Sequence, residues 1–477
     1  MAQQNLKDHR QIGTELDLFS FNELAPGAIF WHHKGYIIYK TLVEFLRQRL
    51  LSEGYMEIST PVMVKSELFK RSGHWDFYKD SMFNLSVYDK EELREALEKF
   101  ERGNFKDRII SLYETELTKN PDNKLQTYLV SIPLERKDYP FEADISISKN
   151  VFEDGAVNYL YSFVPAANYS LKPMNCPGAC LVYKTRVRSY QDLPMRLSDF
   201  GVVHRNELSG VLGGAFRVRQ LSIDDAHHFV RPDQIQQEVH NLILLVVDFY
   251  KLLGFKPEFY FSTKPDKAMG DPRLWEVAEK DLEKALKDAG VKYDIKEKDG
   301  AFYGPKIDIH IKDSQDRDWQ LATIQLDFQI PEKMKLEYID KDGKPKRPVI
   351  VHRAILGSFE RFIGILTEHY QGAFPLWLSP VQVAVLPIAD RHNEYARKVT
   401  ENFQANNIRA ELDVRSERLD AKVRDHTLQK VPYLAIIGDS EIDKNQISIR
   451  TRLGKEQQVL NLSDFVKRVK EDIDKKT

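Results

Sequence analysis

The chain has 477 residues, 42% hydrophobic and 30% charged, with a formal net charge of −2; that length predicts two or three domains rather than one core. The near-neutral balance excludes a nucleic-acid binder declared by bulk charge alone, and no apolar run reaches the ~18 residues of a membrane span. Two cysteines, Cys176 and Cys180, exclude a disulfide framework.

The N-terminal MAQQNLKDHR has neither an apolar signal core nor an Arg/Ser-rich leader, which predicts a cytoplasmic address and no membrane partner. From Gly35 to Glu53, Ile38, Leu42, Phe45, Leu46 and Leu50 recur at helical spacing, Gly54 stops the helix, and YMEISTPVM reads as a strand ended by Pro61. The stretch from Asp89 to Arg108 is mostly charged, with Leu93, Ala96, Leu97 and Phe100 as one apolar stripe; it predicts a solvated amphipathic helix and, over 86–168, an inserted helical subdomain. From Tyr169 to Phe229 short β-prone runs alternate with turns, and 195–224 reads as a hairpin with a tip containing Gly210, Gly213 and Gly214. A helix over Pro232 to Leu253 precedes more short strands, including the alternating DRDWQLATIQLDFQI, and a helix without further strand follows His352.

After a boundary near Ser379–Pro380, VQVAV, IRAELDV, YLAIIG and ISIRTR alternate with helices near 391–406 and 419–430, and a last helix starts at Ser463. This is a small α/β domain at 380–477. The remainder, 1–85 and 169–379, reads as one α+β body with an antiparallel sheet flanked by helices.

Three residues separated by 51 and 125 positions, Cys176 in LKPMNCPG, His227 in DDAHHF and His352 in VIVHRAILG, form a ligand set that leaves one tetrahedral position of a zinc ion open. No local finger spacing supports it. Each lies in a segment dense in groups suited to a nucleotide: Arg205, Glu207, Arg217 and Arg219 surround the glycine-rich tip, and Arg361 lies in the late helix. Arginine's planar donor fork suits phosphate oxygens. Cys180 reads as a small core residue, and His228 as a structural neighbour of His227.

These segments carry a resemblance. YMEISTPVM, VVHRNELSG with the following RVR, and GSFERF resemble motifs 1, 2 and 3 of class II aminoacyl-tRNA synthetases; DHRQIGTELDLF, SGHWDFYKDSMF, LKPMNCPG, DDAHHF, AFYGPKID, HRAILGSFERFIGILTEHY and VPYLAIIGD are similar to threonyl-tRNA synthetases in particular. The resemblance spans nearly everything except 86–168, in the family's order. It implies a threonine–tRNA ligase that uses ATP to form threonyl-adenylate and transfers it to tRNA(Thr). One zinc ion per chain would be held by Cys176, His227 and His352, with threonine chelating it through its amino and hydroxyl groups; Mg²⁺ would accompany ATP.

The roles implied follow the matched positions. Arg205 stabilises charge at the α-phosphate, Glu207 touches the adenine end, Arg361 grips the γ-phosphate with Arg217 nearby, and Gln320 is a further ATP contact. Asp225 accepts from the threonine hydroxyl, and Tyr303, Lys306, Thr323 and Gln325 complete the pocket. His74 assists proton removal from the attacking ribose hydroxyl. In 380–477, which resembles an anticodon-binding domain, Glu441 and Arg450 read bases, with Arg452 on the same strand face. Pro61 in motif 1 implies a homodimer.

Two positions depart from the family pattern: Leu221 replaces a phenylalanine that stacks on adenine, which turns attention to apolar packing or Phe216, and Ile223 replaces a glutamine near the amino acid. The resemblance is to a short form without N-terminal and editing domains, as in split archaeal systems; it implies serine mischarging without cis editing, and a possible separate editing protein acting in trans. The alternative is a non-catalytic synthetase-like paralogue that binds RNA or protein. Retention of Arg205, Glu207 and Arg361 argues against it.

Overall fold

A computed structural model describes residues 6–85, 128–135, 140–151, 157–165, 169–266, 268, 272–301, 303–452, 454 and 457–476. The chain divides into two compact units, Met1–Thr60 with Met174–Thr477, and Pro61–Pro173.

The larger unit begins with α1 (His9–Glu15), capped by the Asp8 side chain, which accepts from the amides of Arg10 and Gln11. The helix α2 (His33–Ser52) follows, with Ile38, Leu42, Leu46 and Leu50 as its buried stripe. β1 (Met56–Glu57) is a brief strand, shorter than YMEISTPVM suggested. Next come α3 (Cys176–Tyr183), β2 (Met195–Asp199), β3 (Val202–His204), β4 (Gln220–Ser222), β5 (Asp225–Val230), α4 (Ile235–Leu252) and β6 (Glu258–Ser262). α5 (Pro272–Asp288) lies where only short strands were expected, although Trp275, Ala278, Leu282, Ala285 and Leu286 form a legible helical stripe. β7 (Tyr293–Lys296), β8 (Lys306–Lys312), β9 (Asp318–Asp327), β10 (Val349–Ala354) and α6 (Phe359–His369) complete this part. His352 sits within β10, and the strand continues to Ala354 before the helix begins.

Eight strands make one sheet in the order β7-β6-β8-β9-β10-β5-β2-β1. Every pairing from β6 to β2 is antiparallel, and the two end pairings are parallel. Alternation assigns the faces: Ile307, Ile309, Ala322, Ile324, Leu326, Val349, Val351 and Ala226 are buried in the main core with α2 and α4. Burying such aliphatic side chains contributes about 1.5–3 kcal/mol each. The intervening polar residues therefore share the opposite face. The expected single hairpin over 195–224 is two pairings: β2 pairs with β5 inside the large sheet, while β3 pairs with β4 as a separate ribbon.

The later elements include β11 (Val383–Pro387), α7 (Asn393–Ala405), β12 (Ala410–Leu412), α8 (Leu419–Leu428), β13 (Tyr433–Ile437), β14 (Gln446–Thr451), β15 (Gln457–Asn461) and α9 (Leu462–Asp474), with a short helix over Asp439–Lys444 between β13 and β14. Their sheet has the order β12-β11-β13-β14-β15. Val383, Val385, Val399, Phe403, Ile447, Ile449 and Phe465 belong to a core cluster separate from the main one. No helix among the described residues is long and apolar enough to cross a membrane.

In the smaller unit, Tyr128–Glu135, Pro140–Val151 and Val157–Pro165 form an antiparallel three-stranded sheet. This corrects the expectation of a helical subdomain over 86–168: its described part is β-structure, and the charged stretch Asp89–Arg108 lies outside the described residues. The β-prone residues of YLVSIPLE and DISIS explain the strands. A second sheet joins Met63–Lys65, Tyr169–Leu171 and Asn84–Leu85.

Candidate active site

Strand register builds the site. On the face opposite the main core, Lys306 pairs with Gln325, Gln325 with His352, and His352 with His227. One residue pair along, Asp308 faces Thr323, and Asp225 faces Asp199. A single transverse band of polar side chains results, drawn from residues up to 153 positions apart in sequence, Asp199 to His352.

Cys176 enters from the start of α3. Its sulfur and one ring nitrogen each of His227 and His352 lie within 4.8 Å of one another. One thiolate and two imidazoles at that spacing fit a tetrahedral divalent metal of the zinc class, with a position left for a substrate. Burial, with the carboxylates of Asp225 and Asp327 nearby, pushes the Cys176 thiol well above its usual range, so metal binding there must release a proton and strengthen as pH rises. Cys180 is fully buried, with its thiol also pushed up by burial, as a core residue should be.

His352 Nε2 donates to Asp327 Oδ2 at 3.0 Å, which leaves Nδ1 to face a metal. The other Asp327 oxygen accepts from the amides of Gln329 and Ile330. Asp327 escaped the sequence reading: in QLDFQIP it reads only as a helix cap, and its second role depends on register. Removing such a carboxylate behind a ligating histidine typically lowers metal affinity ~10–100-fold. Asp327→Asn is therefore expected to bind zinc that much more weakly in competition with a chromogenic chelator; unchanged affinity would remove Asp327 from the site.

His228 is separated from His227 by parity. It points into the core face, where its ring nitrogens meet Glu238 at 3.1 Å and the Tyr55 hydroxyl at 2.9 Å. Burial holds its pKa down at about 4, against the opposing pull of Glu238.

Beside the cysteine and histidines, the Tyr303 hydroxyl donates to Gln325 Oε1. Gln325 Nε2 donates to Thr323 Oγ1 at 3.0 Å, Thr323 Oγ1 donates to Asp308 Oδ1 at 3.1 Å, and Lys306 Nζ lies 2.7 Å from Asp308 Oδ2. Asp308, buried and absent from the sequence reading, thus orders two of the expected pocket residues. Gly304 lets Tyr303 and Lys306 reach this band: a Cβ there would lie 1.8 Å from the Leu326 carbonyl oxygen. Gln320 arrives by a β-bulge. The register shifts between Ile309 and His310, so that His310 faces Gln320 rather than Leu321.

The arginines gather on the β3–β4 ribbon and α6. Arg205 N donates to the Arg219 carbonyl at 2.8 Å, Arg219 Nε donates to the Glu207 carbonyl at 2.9 Å, and Arg217 Nε donates to Glu207 Oε2 at 3.0 Å. Arg361, in the first turn of α6, donates through Nε to the Phe216 carbonyl at 2.8 Å. Its pKa is lowered by burial and then by the positive fields of Arg205 and Arg217, with Glu207 opposing. Three guanidinium groups that repel one another in a half-buried cleft favour a polyanionic ligand.

Asp225 stands two residues before His227 on β5. Burial raises its carboxyl to about 6, offset first by His352 and then by Arg353, while Asp199 adds to the rise and Arg205 also offsets it. β4, the second strand of the arginine-bearing ribbon, runs through Ile223 and Asp224 into β5, and the Ser222 amide donates to Glu360 of α6 at 2.9 and 3.0 Å, so the arginine-bearing elements adjoin the strand that carries His227.

Leu221 packs with Val203 and Val218 in a small apolar cluster that Ile29 and Ile223 border. The Phe216 ring lies 4.1 Å from His9 and 4.6 Å from Trp319. His74 is buried in the Pro61–Pro173 unit, with Nδ1 2.8 Å from the Ser72 hydroxyl. In the last domain, Glu441 Oε2 accepts from the Gly438 amide at 2.9 Å, and Arg450 pairs in register with Leu434. Arg452 Nη1 donates to the Phe374 and Lys430 carbonyls at 2.8 and 3.2 Å, a tie to the preceding body that Arg450 is not shown to make.

Comparison with known proteins gives consistent findings. Residues 161–370 match the class II core domain of tRNA synthetases for G, H, P, S and T, and residues 382–472 match an anticodon binding domain. The chain is 44% identical over 473 residues to a threonine–tRNA ligase of Caldanaerobacter subterraneus subsp. tengcongensis, covering 99% of this chain and 62% of the relative. It is 41% identical over 471 residues to that of Desulforamulus reducens, with 99% and 62% covered. The chain thus spans 62% of the length of these relatives. A crystal structure described as the RNA binding domain of threonyl-tRNA synthetase from Cryptosporidium parvum Iowa II superposes with a TM-score of 0.79 at 33% identity, covering 98% of each chain.

Proposed function

Because the chain belongs to the threonyl-tRNA synthetase family of class II aminoacyl-tRNA synthetases, we propose that it activates threonine with ATP and transfers it to tRNA(Thr). The observation that carries this reading is the close approach of Cys176, His227 and His352, with His227 on the strand that follows directly from the ribbon bearing Arg205 and Arg217. Amino acid and triphosphate would thereby meet on one sheet face.

In the first step the threonine carboxylate attacks the ATP α-phosphorus and pyrophosphate leaves. A carboxylate is already ionised at neutral pH, so the protein supplies position and charge rather than a base. Arg205 faces the charge developing on the α-phosphate, Arg361 and Arg217 hold the departing phosphates alongside Mg²⁺, and Glu207 and Gln320 hold the nucleotide. Cys176, His227 and His352 would hold a zinc ion, which would supply Lewis acidity for binding the amino and hydroxyl groups of the substrate. Asp225 accepts from that hydroxyl, while Tyr303, Lys306, Thr323 and Gln325 orient the amino acid. In the second step His74 assists loss of the proton from the tRNA ribose hydroxyl.

Glu441 and Arg450 are the proposed anticodon contacts, since unpaired loop bases present edges to such side chains. The exposed Val62 and Met63 beside Pro61 support a homodimer, and the site of action is the cytoplasm.

Valine cannot supply the oxygen that the metal position and Asp225 read. Serine can; it lacks only a methyl group, worth ~10–200-fold in discrimination. These 477 residues are expected to catalyse threonine-dependent ATP–pyrophosphate exchange, serine-dependent exchange slower by about that factor, and none with valine. Ser-tRNA should accumulate unless a separate hydrolytic protein acts in trans. Absence of exchange with threonine would sink the assignment, and absence of Ser-tRNA would sink the lack of cis editing.

A further inference from the structure

The phosphate grip proposed above depends on a loop whose anchoring is visible at the other end of the chain. We infer that His9, in the first turn of α1, is a positioning residue for ATP, acting through the backbone that carries Arg217. His9 is 3% exposed. Its Nε2 accepts from the Ala215 amide at 3.0 Å, and its Nδ1 faces Glu368 Oε1 at 2.7 Å. A backbone amide can only donate, so the ring proton sits on Nδ1 and Nε2 offers its lone pair.

The loop is shaped to receive this contact. Gly214 has φ +56°, and a Cβ there would lie 2.2 Å from His9 Nε2; the imidazole occupies the space that a side chain would need. Two residues on, the Phe216 carbonyl accepts from Arg361 Nε at 2.8 Å, and the Phe216 ring packs 4.1 Å from the imidazole. Phe216 N donates to the Gly213 carbonyl at 3.0 Å, and Gly213 N to the Arg217 carbonyl at 3.2 Å, closing a tight turn. That turn is fastened twice, by His9 at 215 and by Arg361 at 216, immediately before Arg217.

His9 is itself held. Glu368 also accepts from the His9 amide at 2.9 Å, from Gln315 Nε2 at 3.0 Å and from Arg317 Nη2. Arg317 is paired in turn with Asp313, which accepts from Trp319 Nε1 at 2.8 Å. The Arg217 side chain is half-exposed, so its placement against a phosphate rests on the backbone beneath it; a loose loop would have to lose conformational freedom whenever ATP bound.

The inference rests on the ATP reading, and the experiment separates the two. His9→Phe keeps a ring against Phe216 and removes the acceptor; His9→Gln restores an acceptor. In pyrophosphate exchange, His9→Phe is expected to raise the KM for ATP about fivefold, the value of one ordinary hydrogen bond, with kcat changed less than about twofold. His9→Gln should recover most of that affinity. Hydrogen–deuterium exchange of the 213–217 amides, which requires no catalysis, should quicken in His9→Phe and return toward wild type in His9→Gln. An unchanged KM for ATP in His9→Phe, or equal losses in both variants with 213–217 protection intact, would overturn the role. A wild-type chain inactive with threonine would sink the ligase reading alone, since the amide-exchange arm still reports on the His9 anchor.

Discussion

Replacing His227 with alanine is expected to lower threonine-dependent exchange by about 10³-fold or more, the scale of a lost metal contribution of several kcal/mol. His227 stands opposite His352 in the sheet, and the metal position is defined by these two rings and Cys176. Two remaining ligands do not hold zinc at the concentrations that three do. Zinc content measured by atomic emission should fall from one per chain toward zero, and added zinc should restore chelator-treated wild type but not the variant. His227 is fully buried, so His227→Gln, which fills the space, guards against simple misfolding. A zinc-free variant that still activates threonine within about tenfold of wild type would end the metal's part in recognition.

Arg205→Ala is expected to lower kcat for exchange by about 10³-fold while leaving zinc content and the KM for threonine nearly unchanged. Its backbone is pinned to Arg219 across the ribbon, and it is proposed to stand between the phosphates and the amino acid. A charge meeting the pentavalent α-phosphorus acts on the transition state and should appear in kcat. Arg361→Ala should differ in kind. That side chain is proposed to hold the outgoing phosphates in the ground state as well and also fastens the Phe216 carbonyl, so the KM for ATP should rise with the fall in kcat. If Arg205→Ala changes only the KM for ATP, the two roles are misassigned.

Much of the site was legible because chemistry constrained residue types within short segments. KIDIHIK alternates apolar and polar residues, so Lys306 and Asp308 had to leave the core face together. DDAHHF sets its histidines at adjacent positions, so a strand had to turn them opposite ways; His227 meets the candidate metal position and His228 meets Glu238 and Tyr55. The helix of Ile38, Leu42, Leu46 and Leu50 was readable from spacing alone. The segment after Gly254 was less so, because α5 went unnoticed among short β-prone runs.

By itself, then, the sequence determined which faces strands and helices would bury and which side chains could serve as metal ligands or phosphate contacts. Tertiary structure decided everything that depends on register between distant strands. The pairing of His227 with His352 turns three scattered residues into one ligand set, and a bulge at Ile309/His310 sets Gln320 opposite His310. Asp327 becomes the partner of His352, Asp308 the partner of Lys306, and His9 the anchor of a loop 206 residues away. Arg452 Nη1 donates to the Phe374 carbonyl, 78 residues earlier. The physical reason is common to all of these: local periodicity sets the direction of a side chain, whereas its hydrogen-bond partner is chosen by long-range packing.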